Sequence, residues 1–252
     1  MSKIISIHSF RGGTGKSNTS ANLASLIALE GKRVGVVDTD IQSPGIHVLF
    51  RLEPEAMHHS LNDYLWGLCD IEEAAHDVSA SVGISGDGGK VFLIPSSIKA
   101  GEIARIIREG YDVGLLNDGF QRLIEALALD VLIIDTHPGV GEETLLSIAI
   151  SDALIIVLRP DQQDYQGTAV TVEIGRKLNV PQMVLLVNKT PEVFDFEEVK
   201  ARVESTFGAP VVAVVPHSDE MMVLASQGVF VVKNPDHDIA HRYRAVLRAV
   251  LD

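Results

Sequence analysis

The sequence predicts a doubly wound α/β fold with a mostly parallel central sheet of about seven to eight strands and helices on both faces. Short runs rich in valine and isoleucine recur along the chain, and they are apolar at consecutive positions rather than at alternate ones. Such runs are typical of strands that are buried on both faces of a parallel sheet. Segments of helical periodicity separate the runs. Because no repeat or linker interrupts this alternation, we expect a single domain over residues 1–252.

The seven apolar runs predict strands over residues 3–10, 33–38, 91–95, 130–135, 153–159, 182–189 and 210–216. Stretches of helical period predict helices over residues 17–30, 98–109, 118–129, 142–150, 163–178, 196–207 and 238–251. The first helix places Leu23, Leu26 and Ile27 on one side and stops at Gly31, a residue favoured just after helix ends. Residues 51–90 carry the weakest pattern, and "SVGISGDGGK" (81–90) is typical of a surface turn.

Composition excludes several classes of protein. Acidic residues outnumber basic ones 34 to 21, so the chain as a whole repels nucleic acid phosphates, and no basic run compensates. The single cysteine, Cys69, excludes intrachain disulfides and cysteine metal clusters, and we expect it to act as a small apolar residue. No stretch approaches the roughly 20 apolar residues that span a bilayer. The N-terminal "MSKIISIHSF" carries no leader pattern, so we expect a cytoplasmic protein.

A glycine-rich loop, "SIHSFRGGTGKSNTS" (6–20), joins the first predicted strand to the first predicted helix. Its backbone amides and the helix N-terminus would surround a phosphate, with Lys16 reaching the β- and γ-phosphates and Ser17 binding Mg²⁺. The strict pattern for such a loop requires a glycine where this chain has Phe10. The residues expected to wrap the phosphates are Gly12, Gly13, Thr14 and Gly15.

The segment "RGGTGKS" resembles the deviant Walker A loop of the ParA/MinD ATPases, K-G-G-x-G-K-[ST], in which the place of Phe10 need not be glycine. Arg11 replaces the family's signature lysine, which reaches the partner's nucleotide in an ATP-sandwiched homodimer. The resemblance implies a catalytic role in trans for Arg11, although arginine differs from lysine in geometry, and a solvated loop cation is the alternative. Asn18 replaces a threonine that touches the α-phosphate in many relatives, so we expect weaker nucleotide binding.

Two further segments extend the resemblance. "VVDTDIQSPG" (36–45) is similar to the family's switch I, which implies that Asp40 orients or activates the attacking water and Asp38 supports the Mg²⁺ shell. "VLIIDTHPGVGEET" (131–144) is similar to the Walker B and switch II region, which implies that Asp135 acts on Mg²⁺. Carboxylates just beyond strand ends suit both tasks. We expect His137 to be a polar turn residue rather than a catalytic base, since nothing places a partner for it.

The last third of the chain carries the features expected around a nucleotide base. Asn188 in "VLLVNKT" matches the family's adenine-binding asparagine, and Pro191 stands where a guanine-binding N-K-x-D motif needs an acid. Backbone near Pro216 is implied to flank the base. Asp161 is expected to cap the helix that follows it. Arg159, at a strand end, faces either the nucleotide or a partner, and the sequence does not choose between them.

The resemblance implies an ATP-binding, Mg²⁺-dependent, slowly hydrolysing ATPase whose ATP-bound homodimer acts as a positioning, partitioning or regulatory switch, with an activating protein partner. Alternatives are a metal- or cluster-loading ATPase of the same superfamily, which Cys69 alone does not favour, a metabolic P-loop enzyme, and a non-hydrolysing nucleotide switch. A membrane and nonspecific DNA both stay open as the surface on which it acts. Residues 238–251 fit an amphipathic membrane helix or a core helix, and we favour the core.

Overall fold

The computed structural model describes residues 2–86, 89–224 and 227–251. Eight strands make up its sheet: β1 Lys3–His8, β2 Arg33–Asp38, β3 His76–Asp77, β4 Lys90–Ile94, β5 Val131–Asp135, β6 Ala153–Leu158, β7 Gln182–Thr190 and β8 Val211–Pro216. Their spatial order is β3-β4-β2-β5-β1-β6-β7-β8. All neighbours run parallel except β3, which pairs antiparallel with β4 at the sheet edge. The predicted fold class is therefore confirmed.

Helices connect the strands: α1 Lys16–Leu29, α2 Ile46–Leu49, α3 Leu61–Leu65, α4 Ala100–Glu109, α5 Gly114–Ala126, α6 Glu142–Ala149, α7 Gln162–Lys177, α8 Phe196–Phe207, α9 Asp219–Leu224, α10 Phe230–Lys233 and α11 Asp238–Leu251. Short 3-10 turns cover Pro54–Ala56, Ile71–Ala74 and Ala80–Val82. All seven predicted strands and all seven predicted helices are present.

The sequence analysis misplaced or missed a few elements. The helix predicted to start at residue 118 begins at Gly114, because Asp112 accepts a hydrogen bond from the Gly114 amide (2.9 Å) and offsets the weak helix propensity of glycine there. Strand β3 and the short helices α2, α3, α9 and α10 were not predicted, since elements of two to six residues carry no readable period. Two residues of the predicted turn 81–90, Asp87 and Gly88, lie outside the described residues.

Alternate residues of the central strands enter different apolar clusters. Ile133 of β5 packs in a cluster with α1 and α11, whereas its neighbours Leu132 and Ile134 pack in a cluster with α5. In the same way, Ile155 of β6 faces the first cluster and Leu154 faces a third cluster formed with α7 and α8. Because side chains alternate across a strand, this pattern shows helices covering both faces of the sheet.

The C-terminal helix α11 belongs to the core. Ile239, Tyr243, Val246 and Val250 are completely buried, and Leu247 is 1% exposed, so the apolar stripe is not available to a membrane. The core interpretation of residues 238–251 is thus confirmed. Among the described residues, no helix combines the length and the apolar character needed to cross a bilayer.

The strand order sets the position of the candidate site. Strand β5 lies between β1 and β2, so the carboxyl ends of three strands from distant parts of the chain are neighbours. The register pairs Asp38 with Asp135 and Ile7 with Asp135. In open α/β sheets, ligands bind beyond this edge of the strands.

Candidate active site

The loop between β1 and α1 has the backbone of a phosphate-binding loop. Gly13 and Gly15 have φ angles of 79° and 103°, in the left-handed region that favours glycine. A Cβ at Gly15 would lie 2.4 Å from Nδ2 of Asn188, so no larger residue fits there. Helix α1 starts at Lys16 immediately after this turn, and its N-terminal amides and partial positive charge face the loop. The loop is therefore built to approach an anion closely.

Two buried carboxylates lie beside the loop. Asp38 and Asp135 are each 1% exposed, and the Ser20 hydroxyl donates to Asp135 Oδ1 at 2.9 Å. Burial raises the pKa of Asp38 well above its usual range, and repulsion from Asp135 adds to the effect. Burial also raises the pKa of Asp135 to about 6, although hydrogen bonds from Ser17 and Ser20 oppose the rise. The ammonium of Lys16 is itself buried (6% exposed), which lowers its pKa. Carboxylates in this environment favour a nearby positive charge.

These residues fit a Mg²⁺ ion. Oδ1 of Asp38 accepts a hydrogen bond from the Asp40 amide (3.0 Å), whereas its buried Oδ2 has no partner among the described residues. The Ser17 hydroxyl, at the start of α1, is close enough to Asp135 to lower the pKa of that carboxyl. Within the described ranges, no group of three or more His, Cys, Asp or Glu side chains is arranged to hold a metal. Mg²⁺ would therefore take its remaining ligands from water and phosphate oxygens, as it usually does beside a nucleotide.

His137 has a partner, contrary to the sequence-based expectation. Its Nδ1 lies 2.7 Å from Oδ1 of Asp40, and this hydrogen bond raises the pKa of His137. The premise that nothing places a partner for His137 was wrong because it treated the two loops separately, whereas the expectation that His137 is not a catalytic base stays a prediction. Asp40 and His137 each stand two residues beyond a pair that the β2–β5 register aligns, Asp38 and Asp135. This equal spacing was visible in the sequence, but the adjacency of β2 and β5 was not.

His8, at the end of β1, is a second histidine that the sequence analysis missed. Thr136 Oγ1 donates to the carbonyl of Ile7 (3.0 Å), so His8 Nδ1 carries the proton and donates to Thr136 Oγ1 (2.7 Å). Burial, with smaller contributions from Lys16 and His137, lowers the pKa of His8 to about 3. His8 is therefore a buried neutral residue that binds Thr136, and it is not suited to be a proton donor.

The residues that depart from the strict loop pattern rest on α7. A Cβ at Gly167 would lie 2.4 to 2.6 Å from the Phe10 side chain, so Phe10 packs directly on the helix backbone. Arg11 Nε lies 3.7 Å from Oδ1 of Asp164, and its Nη1 donates to Gln163. Since the Arg11 side chain is 40% exposed, the ion pair is only partly shielded from solvent.

The first turn of α7 is organised around Asp164. Asp161 Oδ1 accepts a hydrogen bond from the Asp164 amide (2.9 Å), which confirms the predicted helix cap. Arg159 makes two hydrogen bonds to the Asp164 carboxylate, at 3.0 and 3.1 Å. The Arg159 guanidinium thus contacts the first turn of α7, and the choice between nucleotide and partner that the sequence left open is not settled by this contact.

A cavity of about 630 Å³ is lined by Lys189, Pro191 and Pro216, and Lys189 also contacts the phosphate-binding loop. Asn188 is 3% exposed, and its Nδ2 donates to the carbonyl of Thr14 (2.8 Å), which ties β7 to the loop. Lys189 Nζ donates to the carbonyl of Gly13 (2.7 Å). Asn188 thus contacts the phosphate-binding loop and Pro216 lines the neighbouring cavity, while the roles of both residues in base binding stay predictions.

Comparison with known proteins agrees with this geometry. The ParA family model, described as NUBPL iron-transfer P-loop NTPase, matches residues 1–251. The chain belongs to the ParA family of P-loop NTPases.

Relatives within and around the ParA family differ in their described roles. An uncharacterized ATP-binding protein of Methanocaldococcus jannaschii is 32% identical over 241 residues, covering 95% of this chain and 84% of the relative. An iron-sulfur cluster carrier protein of Pseudomonas fragi is 27% identical and covers 96% of this chain and 82% of its own length. The septum site-determining protein MinD of Pyrococcus horikoshii, solved with Mg-ADP, superposes with a TM-score of 0.81 at 20% identity, covering 100% of this chain and 97% of MinD.

Cys69 is the single cysteine of the chain. Its side chain is partly buried and packs against the cluster that contains Tyr64 and Phe120. Burial raises the pKa of the Cys69 thiol to about 11, so the thiolate form is disfavoured. The expectation that Cys69 behaves as a small apolar residue is confirmed.

Proposed function

We propose that this ParA-family protein is a Mg²⁺-dependent ATPase whose ATP-bound homodimer acts as a switch. One observation carries the proposal. The ends of β1, β2 and β5 bring together a loop shaped for phosphate, the buried ammonium of Lys16, the carboxylates of Asp38 and Asp135, and the Asp40–His137 pair. A phosphate loop with its lysine, carboxylates for Mg²⁺ and a residue that can orient water are the recurring parts of phosphoryl transfer, and the chain supplies them from separate elements of the sheet.

The residues have distinct roles in the proposed reaction. The amides of Gly12, Gly13, Thr14 and Gly15, with Lys16, bind the phosphates of ATP, and Asn18 lies in the first turn of the helix that follows. Ser17, Asp38 and Asp135 would hold Mg²⁺, which neutralises charge on the phosphates when bound. Asp40 accepts a hydrogen bond from the water that attacks the γ-phosphorus. As the new P–O bond forms, the bond from phosphorus to the β–γ bridging oxygen breaks and a proton of the attacking water passes to an oxygen of the released phosphate, giving ADP and phosphate.

Binding and hydrolysis are tested with two variants. We expect Lys16→Ala to abolish MgATP binding in titration calorimetry, because the ammonium is the one cation buried against the loop among the described residues. We expect Asp40→Ala to bind MgATP but to release phosphate slowly and to accumulate as a dimer in gel filtration. Lys177→Ala, at the exposed C-terminal end of α7, is the matched control for loss of a positive charge. Unchanged MgATP binding by Lys16→Ala would rule out the proposed site.

Homodimerisation and an activating partner complete the proposed cycle. By its resemblance to the ParA/MinD family, Arg11 would reach the nucleotide of the second protomer. Here the Arg11 side chain is 40% exposed and is held by a long ion pair to Asp164 and a hydrogen bond to Gln163. Such a pair is weak enough to exchange for a phosphate. Analytical ultracentrifugation tests this step, and we expect dimers with ATP but not with ADP. Retention on DNA or on anionic vesicles, measured with ATP, identifies the surface.

Loading of iron-sulfur clusters is the second candidate, because relatives from Pseudomonas fragi and Methanocaldococcus jannaschii carry the name iron-sulfur cluster carrier protein. A cluster would need thiolates from two protomers, since Cys69 is the single cysteine of the chain. Anaerobic reconstitution with iron and sulfide distinguishes the candidates. Iron bound per dimer that is lost in Cys69→Ser would favour cluster loading, whereas iron retained by Cys69→Ser would be adventitious.

A further inference from the structure

The loops that follow β2 and β5 run side by side beyond the end of the sheet. The amide and the hydroxyl of Thr39 both donate to the carbonyl of Asp135, each at 3.0 Å, so contact between the loops continues past the paired strands. Asp40 follows Thr39, and His137 lies two residues after Asp135. The side chains of Asp40 and His137 come together because the Thr39–Asp135 hydrogen bonds and the β2–β5 pairing hold the backbones of the two loops next to each other.

The hydrogen bond between Asp40 and His137 has a defined direction. An ionised carboxylate only accepts hydrogen bonds, so Nδ1 of His137 carries the hydrogen and Oδ1 of Asp40 accepts it, at 2.7 Å. Both side chains are largely shielded from solvent, with 25% of His137 and 17% of Asp40 exposed. Partial exclusion of water strengthens a short hydrogen bond to a charged group.

The remaining contacts of Asp40 leave one carboxylate oxygen open. The Ser43 amide donates to the same Oδ1 at 3.2 Å, and the Asp40 amide donates to Asp38 Oδ1 at 3.0 Å. Among the described residues, no group donates to Oδ2 of Asp40. The carboxylate is therefore held through one oxygen, and the other is available to accept a hydrogen bond from water.

We propose that His137 is a positioning residue for ATP hydrolysis, whose Nδ1–H fixes Oδ1 of Asp40 so that Oδ2 is presented to the attacking water. The inference rests on the proposed ATPase function, and it assigns His137 no contact with the nucleotide. Misplacing a reacting group by about 1 Å costs on the order of 100-fold in rate. His137 thus acts on turnover through Asp40 and leaves binding of the phosphates to the glycine loop.

Three variants test this role. His137→Ala removes the donor, and its side chain borders a cavity of about 150 Å³, so the truncation creates no sealed void. His137→Asn keeps an amide N–H near the position of Nδ1, whereas His137→Gln places its amide one bond further from the backbone. We expect kcat for ATP to fall about 10- to 100-fold in the alanine and glutamine variants, with KM and MgATP affinity within about threefold of the parent. His137→Asn should retain most of the parent kcat.

Two further measurements separate this inference from the proposed function. In an Asp40→Asn background, His137→Ala should cause no additional loss of kcat, because the group it positions is already gone. Hydrogen–deuterium exchange with a non-hydrolysable MgATP analogue does not depend on turnover. Amides of residues 39–45 should exchange faster in His137→Ala and not in His137→Asn. If the parent binds MgATP without hydrolysing it, the ATPase proposal fails while this exchange result still supports or overturns the positioning role. A parent-like kcat in His137→Ala, equal losses in the alanine and asparagine variants, or unchanged exchange would overturn it.

Discussion

Replacing Gly167 by alanine tests whether the phosphate-binding loop is braced by α7. An added Cβ would lie 2.4, 2.5 and 2.6 Å from Cδ1, Cγ and Cβ of Phe10. A change in the χ1 rotamer of Phe10 moves Cγ and Cδ1 and can relieve the first two contacts but not the third, because Cβ moves only with the backbone. Gly167→Ala should therefore push the chain at Phe10, and the glycines after it, away from α7.

The expected magnitude combines two opposing contributions. Alanine is favoured over glycine inside a helix by about 1 kcal/mol. Overpacking costs about 1–3 kcal/mol in a well-packed core, and here the added Cβ starts from the buried Gly167 and meets Phe10, which is 37% exposed. The free energy of unfolding should therefore fall by about 0–2 kcal/mol in Gly167→Ala. With Phe10→Gly in the same chain, both the ring and its Cβ are absent, and Gly167→Ala should instead stabilise by up to about 1 kcal/mol. The coupling energy between the two positions isolates the steric contribution, at about 1–3 kcal/mol.

Urea unfolding of the parent, both single variants and the double variant, without nucleotide, gives this coupling energy. Titration with MgATP measures the effect on the phosphate-binding loop. Each 1.4 kcal/mol of binding free energy lost when the loop is displaced weakens MgATP affinity about tenfold. Gly175→Ala is the matched control in the same helix, since its Cβ meets the flexible ends of Met183 (Sδ, 2.9 Å) and Leu154 (3.3 Å). It should leave MgATP affinity unchanged. A coupling energy below about 0.5 kcal/mol would refute the argument that Phe10 and Gly167 hold the loop.

Three other outcomes follow from the site. Gly15→Ala should weaken MgATP binding more than about tenfold in calorimetry, and Asn188→Ala should not restore it, because the positive φ of 103° remains unfavourable for alanine. His8 has a folded pKa of about 3 against 6.5, so the unfolded chain takes up an extra proton as pH falls below 6.5 and the protein loses stability. When the pH falls from 5.5 to 4.5, the free energy of unfolding of His8→Asn, measured in urea, should fall by about 1.4 kcal/mol less than that of the parent. Equal decreases would contradict a buried neutral histidine. Arg11→Ala should abolish ATP-dependent dimers in analytical ultracentrifugation while the monomer's MgATP affinity changes little, and an unaltered dimer would show that Arg11 acts only on Asp164.

The sequence predicted the fold closely because most of the sheet is buried on both faces. Strand β6 is apolar at every position, and β5 is apolar at every position before its final aspartate. The apolar runs in the sequence therefore indicate where these strands lie. Strand β3 is two residues long and half-exposed at the edge of the sheet, where no burial pattern is imposed. The hydrophobic pattern of the sequence thus predicts the interior strands of the sheet but not the short strand at its edge.

The residues of the candidate site also fall into those that the sequence predicted and those that it did not. Residues that act within one turn of each other, such as Gly13, Gly15 and Lys16, are recognisable from spacing alone. The Asp40–His137 hydrogen bond depends on β5 lying between β1 and β2, an order that hydrophobic periodicity does not record. The contact of Phe10 with Gly167 likewise requires β6 to neighbour β1 on its other side. What escaped prediction is the set of contacts between loops that follow non-consecutive strands.

Those contacts also explain how a loop that departs from the strict pattern keeps its shape. Glycine at position 10 would leave the upstream end of the loop without a side chain to hold it, whereas Phe10 packs on α7 and Arg11 pairs with Asp164. Asp164 is 2% exposed and is already bound by Arg159, so its buried charge does not depend on Arg11. Arg11 is therefore free to leave its ion pair without uncovering an unpaired carboxylate. Under the proposed function, Phe10 would stay packed on α7 while Arg11 exchanges from Asp164 to the nucleotide of a second protomer, and Asp164 would keep its partner Arg159.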